Sequence, residues 1–317
     1  MTLKRICSVG LTMLLAILGF VAGCSNRTPD TIRAGYIPIA DCAQLYVAIE
    51  KGYFQDENLR VELTKLAGGA KILEALAGGS VEVGFSNLVS LILAKNAGLD
   101  FVAITGGPFE DSSHAEHGIL VLTGSPISSV SELRGKKIAL NTRKNIDELY
   151  VVELLEKHGV DIQKIQFVEV PFPRMQNVLE LGEVDAAAAI EPFVTFALKS
   201  GRARVLSYNY VELHARTQIS AYVAASRWLT QSNESAARYA KAISRATQYT
   251  LANPEEVRSI VAKYASLTDE QIKGVVLPSF SERVEISDLQ SLADRVFRRG
   301  WASQAVDARQ VVYSFGE

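Results

Sequence analysis

Residues 66–87 read LAGGAKILEALAGGSVEVGFSN, with Ala-Gly-Gly at 67–69 and again at 77–79. Between the triplets Ile72, Leu73 and Leu76 recur at helical spacing, and beyond them Val81, Val83 and Phe85 alternate with period two. The stretch therefore predicts a helix over 70–77 followed by a strand over 81–85. Gly78 and Gly79 suit a helix C-cap. Gly68 and Gly69 have two readings: a tight turn, or a backbone kept bare so that a ligand can approach its N–H groups. They do not form a phosphate loop, because Lys71 is followed by Ile72 and the Gly-Lys-Ser/Thr of that motif is missing.

The same alternation continues on both sides. Strands are predicted at 31–36, 59–65 and 101–104, with helices at 43–52, starting near Asp41 as N-cap, and at 88–97, closed by Gly98. Such a βαβαβαβ rhythm predicts a mainly parallel sheet covered by helices. It restarts with strands at 119–123, 137–140, 165–170, 186–190 and 204–206, and helical segments at 130–134, 146–158, 175–182 and 193–200. An extended segment at 219–224 follows, and beyond Ser226 the chain reads almost wholly helical. Asn253-Pro254-Glu255 marks one helix start there, and Thr268 with Gln271 and Ser287 with Gln290 have capping-box spacing. Two α/β lobes are expected, the first from 31–116 and 222–317, the second from 117–221, with crossings near 117–121 and 218–221.

A chain of 317 residues, 48% hydrophobic, can fill two such cores. Residues 1–23 read as a signal peptide: Lys4 and Arg5 precede an apolar run over 6–23 that ends in small residues. A membrane anchor is the rival reading. Cys24 separates the two, because Val21-Ala22-Gly23-Cys24 is similar to the bacterial lipobox, whose cysteine is lipidated and becomes the first mature residue. Residues 24–30 would then be a short tether that holds the folded body close to the membrane. Without Lys4 and Arg5 the basic residues fall from 33 to 31 against 35 acidic, a net charge of about −4, so no nucleic-acid partner is expected. Cys7 leaves with the signal and Cys24 carries lipid, which leaves Cys42 alone and no internal disulfide.

Catalytic chemistry is thinly represented. Neither Gly-x-Gly-x-x-Gly nor Gly-x-Ser-x-Gly occurs. His114 and His117, near Glu110 and Asp111, hint at a metal site, but they fall in an expected loop between lobes and read as a solvated polar crossover. Cys42 has no general base beside it in sequence and reads as a small buried apolar residue. No catalytic residue, cofactor or metal is expected.

Ligands of open α/β sheets bind outside the carboxyl ends of the strands, where helix N-termini also point. Those ends supply Tyr36, Asp41, Gln44, Gly68, Gly69, Ser86, Asn87, Asn141, Thr142, Arg143 and Glu191 as candidate ligand-binding residues. Arg143, near a helix start, suits a sulfonate, carboxylate or phosphate, whereas Asp41 and Glu191 suit an amine. Each also has a plain structural reading: Asp41 as a cap, Glu191 as a first-turn acid, Arg143 as a solvated charge.

A family resemblance appears across most of the chain. Its pieces are Ala34-Gly35-Tyr36, Ala48-Ile49-Glu50-Lys51-Gly52-Tyr53-Phe54, Val61-Glu62-Leu63 and Ala75-Leu76-Ala77-Gly78-Gly79-Ser80-Val81-Glu82-Val83-Gly84. Leu133-Arg134-Gly135-Lys136-Lys137-Ile138-Ala139, Gly182-Glu183-Val184-Asp185-Ala186-Ala187, Glu191-Pro192 and Asn253-Pro254-Glu255-Glu256 follow in order. Together they resemble the solute-binding proteins of ABC importers, in the sulfonate, taurine and nitrate group that includes binders of thiamine-pyrimidine precursors. The resemblance implies a type II periplasmic-binding-protein fold: two α/β lobes, two hinge crossings and a helical C-terminal region. It also implies a monomeric extracytoplasmic lipoprotein that is not an enzyme. Such a protein captures a small polar organic solute, sulfonate- or taurine-like, and delivers it to a permease and its ATPase. A thiamine-pyrimidine precursor or other heteroaromatic amine is the alternative solute.

Some positions depart from the family pattern. Asn58 stands where glycine is common, and Ile190 where a tryptophan often precedes Glu-Pro. Asn141-Thr142-Arg143-Lys144 replaces a small, Gly/Ser-rich helix start. The cysteine-rich iron motif of yeast thiamine-pyrimidine synthase has no counterpart. Two rival functions remain on this reading: an enzyme using Cys42 or the histidines, and a sensory or adhesion lipoprotein.

Overall fold

The computed structural model describes residues 28–315, so the signal segment and Cys24 lie outside the described residues. Two five-stranded sheets form the bulk of it. The first contains β1 (Asp30–Tyr36), β2 (Leu59–Lys65), β3 (Val83–Asn87), β4 (Phe101–Thr105) and β12 (Ser220–Ala225), in the order β2-β1-β3-β12-β4. β1 is parallel to β2 and β3, while β12 runs antiparallel between β3 and β4. The second contains β6 (His117–Leu122), β7 (Lys137–Leu140), β8 (Gln166–Glu169), β9 (Ala186–Ile190) and β10 (Ala203–Ser207), in the order β10-β6-β9-β7-β8.

Helices cover both faces of each sheet, which is why the inner strands read as unbroken apolar runs. β9 is Ala-Ala-Ala-Ala-Ile and buried throughout, as is β12. Alanine on both faces lets the covering helices approach closely. The long helix Ser226–Ala252 packs its buried stripe, including Ala236, Tyr239, Ile243 and Ala246, against the first lobe.

A third, small sheet joins the lobes. Its strands are β5 (Pro108–Asp111), β11 (Arg216–Gln218) and β13 (Ser279–Phe280), all antiparallel, in the order β11-β5-β13. The chain leaves the first lobe along β5 and returns along β11, so the two crossings are paired to each other. Residues 117–121, expected as a crossing, already belong to β6 in the second sheet, and the return to the first sheet begins at Ser220 rather than at 222. The expected loop over 108–111 is a strand because it borrows its hydrogen bonds from residues more than a hundred positions away.

Ion pairs also join the lobes behind the cleft. Arg295 Nε donates to Glu153 Oε1 at 3.0 Å, and Arg299 reaches Glu156 at 2.8 and 2.9 Å. They connect the helix Ile286–Arg298 and its C-cap to the helix Ile146–Lys157. Thr268 and Gln271 form the expected capping box, but Ser287 lies inside its helix and caps nothing. Among the described residues no helix is long and apolar enough to cross a membrane.

Candidate functional site

The carboxyl ends of the strands in the two sheets face each other. β1 ends at Tyr36 and leads through Ile37 and Ile39 into a short 3-10 turn, Ala40–Cys42. β3 ends at Asn87, whose Oδ1 accepts from Ser90 N at 2.9 Å and caps the helix Leu88–Asn96. Opposite, β7 runs into Asn141, and Asn145 caps the helix Ile146–Lys157 by accepting from Glu148 N. Between these ends lies a pocket of about 20 Å³ lined by Ile37, Ile39, Asp41, Phe85, Asn87, His117, Asn141, Asp147, Phe172 and Ile190, among others. That is room for about one water, so anything larger requires the lobes to separate.

Two carboxylates, Asp41 and Asp147, line the pocket among mostly apolar side chains. Asp41 does not act as the expected N-cap: it sits inside the 3-10 turn, 1% exposed, and neither of its oxygens accepts a hydrogen bond from the described residues. Glu116 is equally buried and equally without a donor, and the two carboxyls meet. Burial pushes Asp41 up to about 6 against the pull of His117, and pushes Glu116 well above the usual carboxylate range.

His117 bridges the remaining acids. Its Nδ1 lies 2.5 Å from Glu110 Oε2, and its Nε2 lies 3.5 Å from Asp147 Oδ1. Tyr210 stacks on the imidazole at 3.9 Å and donates its hydroxyl to Asp147 Oδ1 at 2.8 Å. Burial alone would hold the ring neutral; Glu110, Asp147 and Asp41 outweigh it and raise the imidazole to about 9. A protonated His117 thus offsets only part of the surrounding negative charge.

The segment around His114 and His117 is accordingly not a solvated crossover. Residues 111–115 fit that description, with His114 half-exposed and 3.0 Å from Asp111, but Glu116 and His117 are buried. Glu110, Glu116 and His117 bring ligand atoms within 4.8 Å of one another, a spacing compatible with a metal ion. Glu110, however, is already engaged by the backbone N–H groups of Glu116 and His117 and by the imidazole.

The residues expected from sequence divide into three groups. Asp41, Asn87 and Asn141 line the pocket. Gly68, Gly69, Ser86 and Thr142 form the adjoining contact. Gly68 has φ 178°, which any residue adopts, so no turn demands glycine there. A Cβ on Gly68 would lie 2.8 Å from Thr142 Cγ2, and one on Gly69 would lie 2.7 Å from both Ser86 Oγ and Asn87 Nδ2. Close approach is what requires both glycines, and Gly68 approaches the opposite lobe.

Tyr36, Gln44, Arg143 and Glu191 do not join the pocket lining. Tyr36 packs edge-on against Tyr46 and Tyr264. Gln44 donates to Thr247 Oγ1 at 2.5 Å. Glu191 accepts from Thr195 N, Thr195 Oγ1 and Val276 N, and burial raises it to about 7. Arg143 points outward: Nε and Nη2 donate to Glu148 at 3.0 and 2.8 Å, over the ring of Phe167, in a separate groove with Glu153 and Arg295. Its side chain is 47% exposed. Cys42 is buried and its thiol is pushed well above its usual range, which removes thiolate reactivity. Sequence reasoning missed Asp147, Tyr210 and Phe172, and saw His117 only through its spacing from His114.

Two α/β lobes, a paired double crossing and a pocket at the facing strand ends define a type II periplasmic-binding-protein fold. The chain belongs to the NMT1/THI5-like family, whose model matches residues 39–257. It is 25% identical over 325 residues to an Escherichia coli (strain K12) protein described as an aliphatic sulfonates-binding protein, covering 98% of this chain and 97% of that one. It is 28% identical to the 4-amino-5-hydroxymethyl-2-methylpyrimidine phosphate synthase of Candida albicans (strain WO-1), over 67% of this chain and 64% of the enzyme. The alkanesulfonate-binding protein SsuA of Xanthomonas axonopodis pv. citri, solved with MOPS bound, shares the fold with a TM-score of 0.78 at 19% identity. That match covers 90% of this chain and 99% of the other.

Proposed function

We propose that this chain is the lipid-anchored, extracytoplasmic solute-binding component of an ABC importer, and that its solute presents an amine or other cationic N–H group to the pocket. The observation that carries the reading is the Asp41 carboxylate, buried in the pocket wall with no donor to either oxygen and only the Glu116 carboxyl beside it. A buried carboxylate without a donor is costly, and a cationic N–H group supplies both the charge and the hydrogen bond. His117 is the only cationic side chain in the pocket lining, and it is already flanked by Glu110 and Asp147. Arg143, the natural partner for a sulfonate, is paired with Glu148 outside.

The sulfonate-binding relatives support solute capture and delivery to a permease, and the pyrimidine-synthase relative supports a heteroaromatic amine within the family's range; the preference for an amine over a sulfonate rests on the pocket alone. Relatives named as binding proteins support capture of the solute without turnover. Thermal-shift screening of amines, aminopyrimidines and sulfonates tests the reading, because a bound ligand raises the melting temperature by mass action. Amines should raise it. Asp41→Asn should then weaken binding roughly ten- to a hundred-fold, the loss of a charge-assisted bond, and Arg143→Ala should leave it unchanged. A sulfonate that binds and loses affinity in Arg143→Ala would refute the proposal.

A further inference from the structure

We infer that Arg295 is a positioning residue for solute binding: from the first lobe it closes a stack of planar groups that holds Asp147 and His117 in the pocket wall. The inference deepens the reading of the pocket as a site for a cationic amine, and rests on it. Four groups make the stack. His117 of β6 faces Tyr210 of the helix Asn209–Leu213 at 3.9 Å. Tyr210 faces Tyr150 of the helix Ile146–Lys157 at 3.9 Å, with the ring planes 5° apart. The Arg295 guanidinium lies over the other side of Tyr150, 4.4 Å from the ring centre.

The three rings belong to the second lobe, and Arg295 reaches them from the helix Ile286–Arg298 of the first. The guanidinium is itself firmly held. Nε and Nη2 donate to Glu153, and Nη1 donates to the Tyr150 hydroxyl at 3.0 Å. That hydroxyl also meets Thr217 Oγ1 of the hinge strand β11 at 2.5 Å. Both tyrosines are buried, and a cation, His117 or Arg295, lies against the outer face of each ring, which favours the stacked geometry. At the pocket end Tyr210 donates to Asp147 Oδ1 at 2.8 Å and covers the imidazole, and both Asp147 and His117 line the pocket. Without the guanidinium Tyr150 loses its outer support, and Tyr210 is free to tilt away from both groups. Arg299 joins the same two elements through Glu156, but among the described residues it meets none of the stacked rings.

The test compares Arg295→Met with Arg299→Met on the full chain, by calorimetry with 4-aminopyridine and by NMR titration of the His117 imidazole. Arg295→Met should weaken 4-aminopyridine about five-fold. It should also lower the His117 midpoint from about 9, because burial pulls the imidazole down and a displaced Asp147 no longer helps Glu110 and Asp41 to raise it. Loss of the Arg295 charge alone would raise that midpoint, so a fall reports the geometry. Arg299→Met cuts a comparable tie between the lobes and should change neither reading. Should Arg295→Met not fold, Arg295→Lys keeps a cation opposite Glu153 without the flat face, and should show both changes in smaller measure. Equal weakening by Arg295→Met and Arg299→Met, or a His117 midpoint that Arg295→Met leaves in place, overturns the positioning role and leaves the amine reading standing. If 4-aminopyridine does not bind the parent protein, the amine reading fails, and an unmoved imidazole midpoint then overturns the stack by itself.

Discussion

Replacing Gly68 with alanine adds one methyl to a backbone at φ 178° and ψ 170°, so the first lobe has no left-handed strain to absorb. Gly68 is also the N-cap of the helix Gly69–Ala77, where alanine is poorer than glycine, but alanine restricts the unfolded chain by a comparable amount. The two effects offset, and the melting temperature of the free protein should hardly move. The new Cβ would lie 2.8 Å from Thr142 Cγ2 and 3.1 Å from Asn141 Nδ2, both on the opposite lobe. Carbon atoms prefer to sit about 3.5–4.0 Å apart, so the lobes must part by up to roughly 1 Å at this point. Overpacking of this kind costs about 1–3 kcal/mol, and here the cost falls on the closed arrangement alone. A ligand that binds by closing the lobes should lose about ten-fold in affinity, since about 1.4 kcal/mol is a factor of ten.

Gly69→Ala is the internal control. Its Cβ would lie 2.7 Å from Ser86 Oγ and Asn87 Nδ2 and 2.9 Å from Asn87 N, all within the first lobe, so it should lower the melting temperature of the free protein. Calorimetry with the tightest amine from the screen, a melting scan and small-angle scattering together read out both variants. Gly68→Ala should show weaker binding and a larger radius of gyration at an unchanged melting temperature. If it binds as tightly as the parent, or loses as much stability as Gly69→Ala, the contact with Thr142 does not govern closure.

Stability should fall as pH rises from 5 to 9. Asp41 and Glu191 are acids raised to about 6 and about 7, so their contribution is complete below the unfolded values and disappears as pH climbs through the folded ones. His117, raised to about 9, contributes fully below its unfolded value and loses that contribution as pH rises through about 9. Asp41→Asn should flatten the acid part of that melting profile; a melting temperature that rises between pH 5 and 7 refutes the assignment. Mass spectrometry of protein extracted from membranes should find Cys24 as a lipidated N-terminus, and a retained signal segment or an unmodified terminus elsewhere contradicts the lipobox reading.

Most of the helices and strands were legible in sequence because their signals are local. Ile72, Leu73 and Leu76 mark the helix Gly69–Ala77, and the alanine run of β9 marks a strand covered on both faces. Their alternation was enough to indicate two α/β lobes and a helical tail. The hinge ladder was not legible, because Pro108–Asp111 becomes a strand only through partners at Arg216–Gln218 and Ser279–Phe280. The two roles open to Gly68 stayed undecided until Thr142 appeared against it. Arg143 looked like an anion ligand from its place before a helix, yet Glu148, five residues on, turns it outward. The acidic pocket lay furthest from sequence reasoning. Asp41, Glu116, His117 and Asp147 come from a 3-10 turn, the hinge, β6 and a helix of the second lobe, and nothing local couples them. What a carboxyl group does here depends on whether water or a donor reaches it, and that is decided only when two sheets pack end to end and exclude both.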